Sequence, residues 1–240
     1  MRLCAYLREK AFQKDISPVS RFLHARDLAF FCLDFYAGDR ASDLGRMFTK
    51  EVLTSADRQF LLFRHTFGKT LRGKDTNIFK VKRCENPIVC PVGNIKLYVN
   101  MCDLVAINLR DGYLFRVTDR KGLVTESPFM GSAVSNRLTL HLKSLNLYQG
   151  ESAHSFQSGC AITLALLGVS QEDVARHVGW KSLATVEYYS QCSKVMDSGH
   201  TASTLAASTK SAEGSSPQAA LLPQTFQANN ELKNWELAFK

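Results

Sequence analysis

The segment from His154 to Tyr189 contains several side chains that can take part in chemistry. It begins HSFQSGC, carries Gly179-Trp180 near its middle and ends with Tyr188 and Tyr189. Histidine exchanges protons near neutral pH, and a tyrosine hydroxyl can act as a nucleophile when its surroundings activate it. The two tyrosines lie about 100° apart on a helix, so only one of them can face a given site. The segment is therefore either a packed helical hairpin or part of an active site.

A second concentration of functional side chains is basic. The chain has a net charge of +8 and a pI near 9.2, which favours a polyanionic partner such as nucleic acid. One stretch carries a single acid, Asp75, among seven basic residues: Arg64, Lys69, Arg72, Lys74, Lys80, Lys82 and Arg83. This density matches a surface that follows phosphates, although a solvated basic hairpin gives the same pattern.

Five landmarks resemble, in family order, the motifs of the tyrosine recombinases, the phage-integrase-like family. AGDRASDL (37–44) resembles the first arginine motif, with Arg40 at the arginine position. GKT (68–70) resembles the place of the catalytic lysine and points to Lys69, while Lys74 on the same turn stays an alternative. His154 resembles the start of the His-x-x-Arg box. Gly179-Trp180 resembles the Gly-His/Trp pair, and Tyr189, nine residues on, resembles the nucleophile.

The resemblance spans residues 17–192 and implies DNA strand cleavage and rejoining through a 3′-phosphotyrosyl link. In such a site arginine neutralises the phosphate, histidine and tryptophan donate hydrogen bonds, and lysine protonates the leaving 5′ oxygen. The implied catalytic set is Arg40, Lys69, His154, Trp180 and Tyr189. Tyr188 is left for packing, and the implied DNA-binding residues are Arg64, Arg72, Lys74, Lys80, Lys82 and Arg83. No metal or other cofactor is implied.

One position departs from the family pattern. Gln157 stands where arginine completes the His-x-x-Arg box, and an amide lacks both the charge and the guanidinium fork. Losing one transition-state contact commonly slows chemistry by about 10²–10³-fold. We therefore expect a recombinase-like domain whose activity is impaired or lost. The Ser-Phe-Gln and Val-Gly-Trp contexts are similar to transposon-derived members such as Cryptons.

Each landmark also has an ordinary structural interpretation. Arg40 could be a surface arginine, His154 a helix-capping or core residue, and Trp180 a core residue. Two other functions stay open: a non-catalytic DNA-binding or regulatory protein with the recombinase fold, and a helical protein-interaction domain unrelated to DNA. Covalent trapping separates the first from an active enzyme, and salt-dependent DNA binding separates the second.

The elements that must position these residues follow from periodicity and turn signals. Ser17-Pro18 starts a long buried helix that ends near Gly38, and a short helix follows at 40–47. QFLLFRHTF and NIFKVKR form a hairpin. Pro87 and Pro91 break the chain before a helix at 94–108, and 112–118 is extended. Further helices are expected at 131–145, 154–167, 170–178 and 182–190.

These elements predict a mainly α fold with a small antiparallel β-sheet in one domain. The expected division is a short N-terminal remnant (1–16), a recombinase-like catalytic domain (17–192) and a low-complexity, disordered tail (193–240). Sixteen residues are too few for the separate DNA-binding domain that usually precedes the catalytic one. The family also implies self-association on DNA through the segment after Tyr189, whose last residues, ELKNWELAFK, favour a short amphipathic helix against a partner.

The composition of the chain indicates where in the cell the protein is expected. No apolar run approaches the roughly 18 residues of a membrane span, and MRLCAYLREK has charges where a signal peptide needs an apolar core. Seven irregularly spaced cysteines do not form a disulfide framework, and Cys84 and Cys90 are weak zinc ligands without a second pair. We expect an intracellular protein, nuclear if eukaryotic, with DNA as its partner and no membrane association.

Overall fold

The computed structural model describes residues 1–66 and 76–190, which form helices around two small antiparallel sheets. The mainly α fold with a small antiparallel sheet is confirmed. The helices are α1 Arg2–Phe12, α2 Pro18–Ala37, α3 Ala41–Gly45, α4 Pro91–Leu104, α5 Gly131–Ser144, α6 His154–Leu166, α7 Gln171–Val178 and α8 Leu183–Ser190. The strands are β1 Val52–Thr54, β2 Phe60–His65, β3 Asn77–Lys82, β4 Arg116–Thr118 and β5 Val124–Pro128.

Helix α2 is the centre of the fold, and its predicted bounds are confirmed. The Ser17 hydroxyl accepts a hydrogen bond from the Ser20 amide at 3.1 Å, and Pro18 occupies the first turn. The helix ends at Gly38, whose φ of 61° favours glycine. A Cβ at this position would also come within 2.8 Å of Val178 and 3.0 Å of the Cys160 sulfur. Gly38 therefore lets the end of α2 pack closely against α6 and α7.

The predicted hairpin is confirmed as β2 and β3, which pair antiparallel from Phe60↔Lys82 to His65↔Asn77. Alternate residues point into the core, so Leu61, Phe63, Phe79 and Val81 are buried. Strand β1, which the sequence analysis did not predict, adds to the free edge of β2. Residues 67–75, which connect β2 and β3, lie outside the described residues.

The predicted start of α4 is wrong by three residues. We expected a helix at 94–108 because Pro91 was interpreted as a break, but α4 runs from Pro91 to Leu104. Proline is favourable in the first turn, and the Cys90 sulfur accepts a hydrogen bond from the Gly93 amide at 3.3 Å. The extended segment predicted at 112–118 is a strand only at Arg116–Thr118, where it pairs with β5.

The four C-terminal helices agree with the predictions to within about one residue. Ser170 caps α7 by accepting a hydrogen bond from the Asp173 amide at 3.1 Å, and Gly179 ends it with a φ of 75°. Helices α6, α7 and α8 share an apolar cluster apart from the main core: Cys160, Ala161, Val174, Ala175, Val178, Trp180 and Val186. The segment 193–240, expected to be a disordered tail, lies outside the described residues.

Helix α1 occupies the stretch that the sequence analysis called an N-terminal remnant. Its residues Leu3, Leu7 and Ala11 are buried in the same core as α2. The cysteines of the described residues are free thiols. In the same part of the chain, no helix has the length and apolar character needed to cross a membrane.

Candidate functional site

An open cleft of about 560 Å³ brings together residues that are far apart in the sequence. Its walls come from the start of α3, the start of α5, the start of α6 and the end of α8. Three residues predicted from the sequence line it, namely Arg40, His154 and Tyr189. The other lining residues are small or hydroxyl-bearing: Ala41, Ser42, Gly131, Ser135, Ser152 and Ala153. The N-terminal ends of α5 and α6 add partial positive charge. The cleft thus combines a cation, an imidazole, a phenol and hydroxyl donors around one space.

Arg40 enters the cleft from the corner between α2 and α3. Its backbone amide donates to the Asp39 carboxylate at 2.7 Å, which fixes the turn. Its guanidinium lies 3.7 Å from the Asp43 carboxylate, and its side chain is 31% exposed. The distance is long for a direct ion pair and the head group reaches solvent, so Arg40 is available to an anion in the cleft.

Tyr189 is held in the cleft by its neighbours in the C-terminal helices. Its ring stacks on the Trp180 ring, with 4.9 Å between centroids and 24° between planes. Trp180 is largely buried, and its amide donates to the Ala175 carbonyl at 2.8 Å. Trp180 does not line the cleft in the described structure, and it contacts the phenol from behind. The arrangement makes Trp180 a support for Tyr189.

Tyr188 differs from Tyr189 as helix geometry requires, but the packing role expected for it is wrong. Its side chain is 75% exposed, and it meets the Tyr189 ring edge to face at 5.2 Å. Successive residues on α8 point in directions about 100° apart, so the residue that faces solvent cannot also enter the cleft.

His154 and Gln157 lie one turn apart on α6 but in different environments. His154 is the first residue of the helix and is exposed at the cleft. Gln157 is 2% exposed and does not line the cleft, and its Oε1 atom is buried without a hydrogen-bond partner among the described residues. Position 157 therefore supplies a buried amide and no cation.

The predicted basic surface is partly visible. Arg64, Lys80 and Lys82 project from the outer face of the β2–β3 hairpin, because residues at even positions alternate with the buried ones. Arg83 follows β3 and is also exposed. Lys69, Arg72 and Lys74 lie outside the described residues. Arg64, Lys80 and Lys82 thus form an outward row of positive charge on the hairpin, which is called the basic row below.

The sequence analysis missed two features of the site. The cleft-lining serines Ser42, Ser135 and Ser152 carry no motif that would single them out. His65 ends β2 at a buried position, with Nδ1 2.8 Å from an Asp39 carboxylate oxygen. Burial opposes protonation of His65, but the hydrogen bond to Asp39 and the charges of Asp39 and Asp43 outweigh it and raise the pKa. An inward polar residue in an alternating strand was the only signal.

The described ranges contain no cluster of three or more histidine, cysteine or acidic side chains that could hold a metal ion. Cys84 and Cys90 instead make local contacts, since the Cys90 sulfur lies 3.4 Å from the Cys84 amide. The cleft holds its polar groups without a built set of metal ligands.

Comparison with known proteins identifies the fold. No family model and no curated protein matches the chain. Among solved structures, the XerH site-specific recombinase bound to palindromic difH substrate, a post-cleavage complex, matches with a TM-score of 0.57 at 14% identity. The match covers 88% of this chain and 52% of that chain.

Two further solved structures give the same result. The XerA recombinase matches with a TM-score of 0.53 at 15% identity, over 83% of this chain and 61% of that one. The Tn1549 transposon integrase in complex with transposon right-end DNA matches with a TM-score of 0.51 at 11% identity, over 78% and 58%. The chain spans about half to three fifths of these proteins, and it has the fold of recombinase catalytic domains.

Proposed function

We propose that this protein is a DNA-binding domain with the recombinase fold, in which strand cleavage through a phosphotyrosine is impaired. The observation that carries the proposal is the joint presence of Arg40, His154 and Tyr189 in one cleft, while position 157 contributes a buried amide. The solved neighbours include complexes with DNA, and the outward basic row on β2 and β3 provides a surface for phosphates.

The proposed chemistry is a phosphoryl transfer. The Tyr189 hydroxyl gives up its proton to the solvent in the open cleft and its oxygen forms a bond to phosphorus, while the bond between phosphorus and the 5′ oxygen breaks. DNA is then joined to the protein by a 3′-phosphotyrosyl ester. Arg40 and His154 stabilise the negative charge on the non-bridging oxygens. The leaving 5′ oxygen takes a proton from Lys69 or Lys74, a role that rests on the sequence resemblance alone. A later attack by a 5′ hydroxyl reverses the step.

Impairment follows from the charge balance of the cleft. The transition state carries more negative charge on its oxygens than the ground state, and one arginine compensates less of it than two. A missing contact of this kind lowers the rate by about 10²–10³-fold. DNA binding depends on many phosphate contacts and is therefore retained.

Covalent trapping on nicked duplex DNA tests the chemistry. A nick downstream of the cleavage site lets the leaving strand diffuse away, so even slow cleavage accumulates as an adduct. We expect a trace adduct from the natural chain, none from Tyr189→Phe, and an unchanged trace from Tyr188→Phe, the exposed neighbour. Gln157→Arg should increase the adduct about 10²-fold.

The outcomes separate the candidate functions. An adduct that persists in Tyr189→Phe contradicts the assignment of the nucleophile, and a robust adduct from the natural chain contradicts impairment. If Gln157→Arg folds, binds DNA and forms no adduct, the non-catalytic DNA-binding or regulatory function is favoured. If the protein shows no DNA affinity that decreases with rising salt concentration, a protein-interaction domain is favoured.

The proposal includes self-association of the protein on DNA. Two adjoining apolar cavities of about 290 and 340 Å³ share Phe35, Tyr36, Thr163 and Leu167. Such a surface could receive the apolar residues of ELKNWELAFK from a second copy assembled on DNA.

The Ser-Phe-Gln and Val-Gly-Trp contexts favour a transposon-derived, Crypton-like origin. DNA as a partner favours an intracellular location, nuclear in a eukaryote.

A further inference from the structure

His65 lies behind the Arg40 corner, and both of its ring nitrogens face oxygen acceptors. Nδ1 is 2.8 Å from an Asp39 carboxylate oxygen, and Nε2 is 3.1 Å from the backbone carbonyl oxygen of Asp43. A neutral imidazole has one N–H and can donate to only one of them. An imidazolium carries both N–H groups, so Nε2 can donate to the Asp43 carbonyl while Nδ1 stays in ion-pair contact with the Asp39 carboxylate. The side chain is 3% exposed, so no solvent replaces a lost contact.

The charges around His65 favour its protonated form. Burial lowers the pKa of the imidazole, but the contact with Asp39 and the charges of Asp39 and Asp43 raise it overall. Glu51, on the turn that precedes β1, accepts a hydrogen bond from the neighbouring residue Thr66. Arg40 is the other nearby cation, and its guanidinium lies 3.7 Å from the Asp43 carboxylate. His65 thus supplies the second positive charge in a corner that holds two acidic side chains.

We propose that protonated His65 is a positioning residue that holds Arg40 for phosphate binding, an inference that rests on the proposed function. The imidazolium ties the end of β2 to Asp39 and to the α3 backbone, and Arg40 lies between these two contacts. It also neutralises Asp39, whose other oxygen accepts the Arg40 amide. When His65 loses its proton, one contact to α3 is lost and an uncompensated carboxylate faces the corner. Arg40 then interacts more strongly with the carboxylates of Asp39 and Asp43 and is less available to a phosphate in the cleft.

The direction of the pH dependence follows. Because the pKa of His65 is raised above its usual 6.5, its contribution is fully present below pH 6.5 and is lost as pH rises through the raised pKa. DNA affinity should therefore fall as pH rises above 6.5 and through the raised pKa. We expect the loss to be about three- to tenfold, the range of one hydrogen bond.

The experiment measures duplex DNA affinity at constant ionic strength from pH 6 to 9 for the natural chain, His65→Gln and His24→Gln. Glutamine keeps an amide donor but cannot titrate. His24 is the matched control, since it contacts the Ser20 carbonyl on α2 and lines neither the cleft nor the cavity beside Lys80 and Lys82. An NMR titration of the His65 imidazole in the DNA-free protein is run in parallel.

We expect His65→Gln to bind weakly at every pH with a flatter profile, and His24→Gln to follow the natural chain. Equal slopes in all three proteins, or an NMR titration that shows neutral His65 at pH 6.5, would overturn the inference. Absence of DNA binding at every pH overturns the proposed function, and the positioning role with it. The NMR titration still decides in that case whether the ion pair exists.

Discussion

At the scale of single residues, two buried polar side chains of α2 and α6 are unusual. Asp34 is fully buried, and neither carboxylate oxygen has a hydrogen-bond partner in the described part of the chain. Burial raises its pKa well above the usual range, and the charge of Asp39 adds to the effect. The Oε1 atom of Gln157 on α6 is also unpartnered in those ranges. Burial therefore favours the neutral form of Asp34, since a neutral group is cheaper to bury than a charged one.

Asp34→Asn should remove part of the pH dependence of stability. The folded protein binds the Asp34 proton more tightly than the unfolded chain, so the free energy of unfolding falls as pH rises above about 4 towards the raised pKa. Asparagine cannot ionise, so the variant should lose less stability than the natural chain between pH 5 and 8, by up to about 1.4 kcal/mol for each pH unit below the raised pKa. Urea denaturation at each pH measures this. Asp103→Asn, at an exposed position, is the control. Parallel curves for Asp34→Asn and the natural chain would show that Asp34 is ionised when folded.

At the scale of elements, the position of Arg40 depends on how α3 meets the segment before α5. α3 has only five residues, so it has little stability of its own and is held by packing. Its last residue, Gly45, lies against the backbone of Phe129, and a Cβ there would be 2.9 Å from the carbonyl carbon. The close approach fixes α3 beside the start of α5, where Gly131 and Ser135 line the same cleft.

Gly45→Ala should therefore lower the stability of the fold and also disturb the position of α3 at the cleft. The added methyl meets backbone that cannot rotate away, and overpacking of this kind costs about 1–3 kcal/mol. Gly131→Ala is the matched control, because a Cβ at Gly131 has no heavy atom within 4 Å among its described surroundings. Thermal unfolding of the two variants should separate them clearly. If Gly45→Ala unfolds at the same temperature as Gly131→Ala, α3 is not held by this contact.

At the scale of the whole molecule, the cleft and the basic row are parts of one DNA-binding proposal. The row stands on the three-stranded sheet, and the sheet is attached to the cleft through His65 and α3. In the core, Asp27 of α2 forms ion pairs with Arg26 and with Arg137 of α5, and it accepts a hydrogen bond from His141 of α5. Helix α5, which lines the cleft, is thus tied to α2 by polar contacts as well as by apolar packing.

The salt dependence of DNA binding should show whether the lysines of the basic row contact DNA phosphates. Each lysine that neutralises a phosphate adds about 0.9 to the slope of log affinity against log salt concentration, because it releases a counterion. Lys80→Gln combined with Lys82→Gln should lower the slope by about 1.8. Lys121→Gln, on the exposed turn between β4 and β5, should leave it unchanged. A double variant with the slope of the natural chain would show that the row does not face DNA.

The sequence by itself determined α2, the four C-terminal helices and the β2–β3 hairpin. Ser17 and Pro18 start α2 and Gly38 ends it, since capping and left-handed backbone depend on local side chains. The strand-like runs QFLLFRHTF and NIFKVKR predicted the hairpin. The start of α4 was misplaced for a local reason too, because Pro91 fits the first turn of a helix as well as it fits a break.

Only the tertiary structure decided how distant residues meet. Spacing selected Tyr189 over Tyr188, but the stacking of Trp180 on Tyr189 and the exposure of Tyr188 depend on how α7 and α8 pack. The partners of His65 and the burial of Gln157 likewise come from elements that are distant in the sequence. Motif spacing encodes neighbours along one helix or strand, whereas hydrogen bonds and burial between elements depend on packing that no local pattern records.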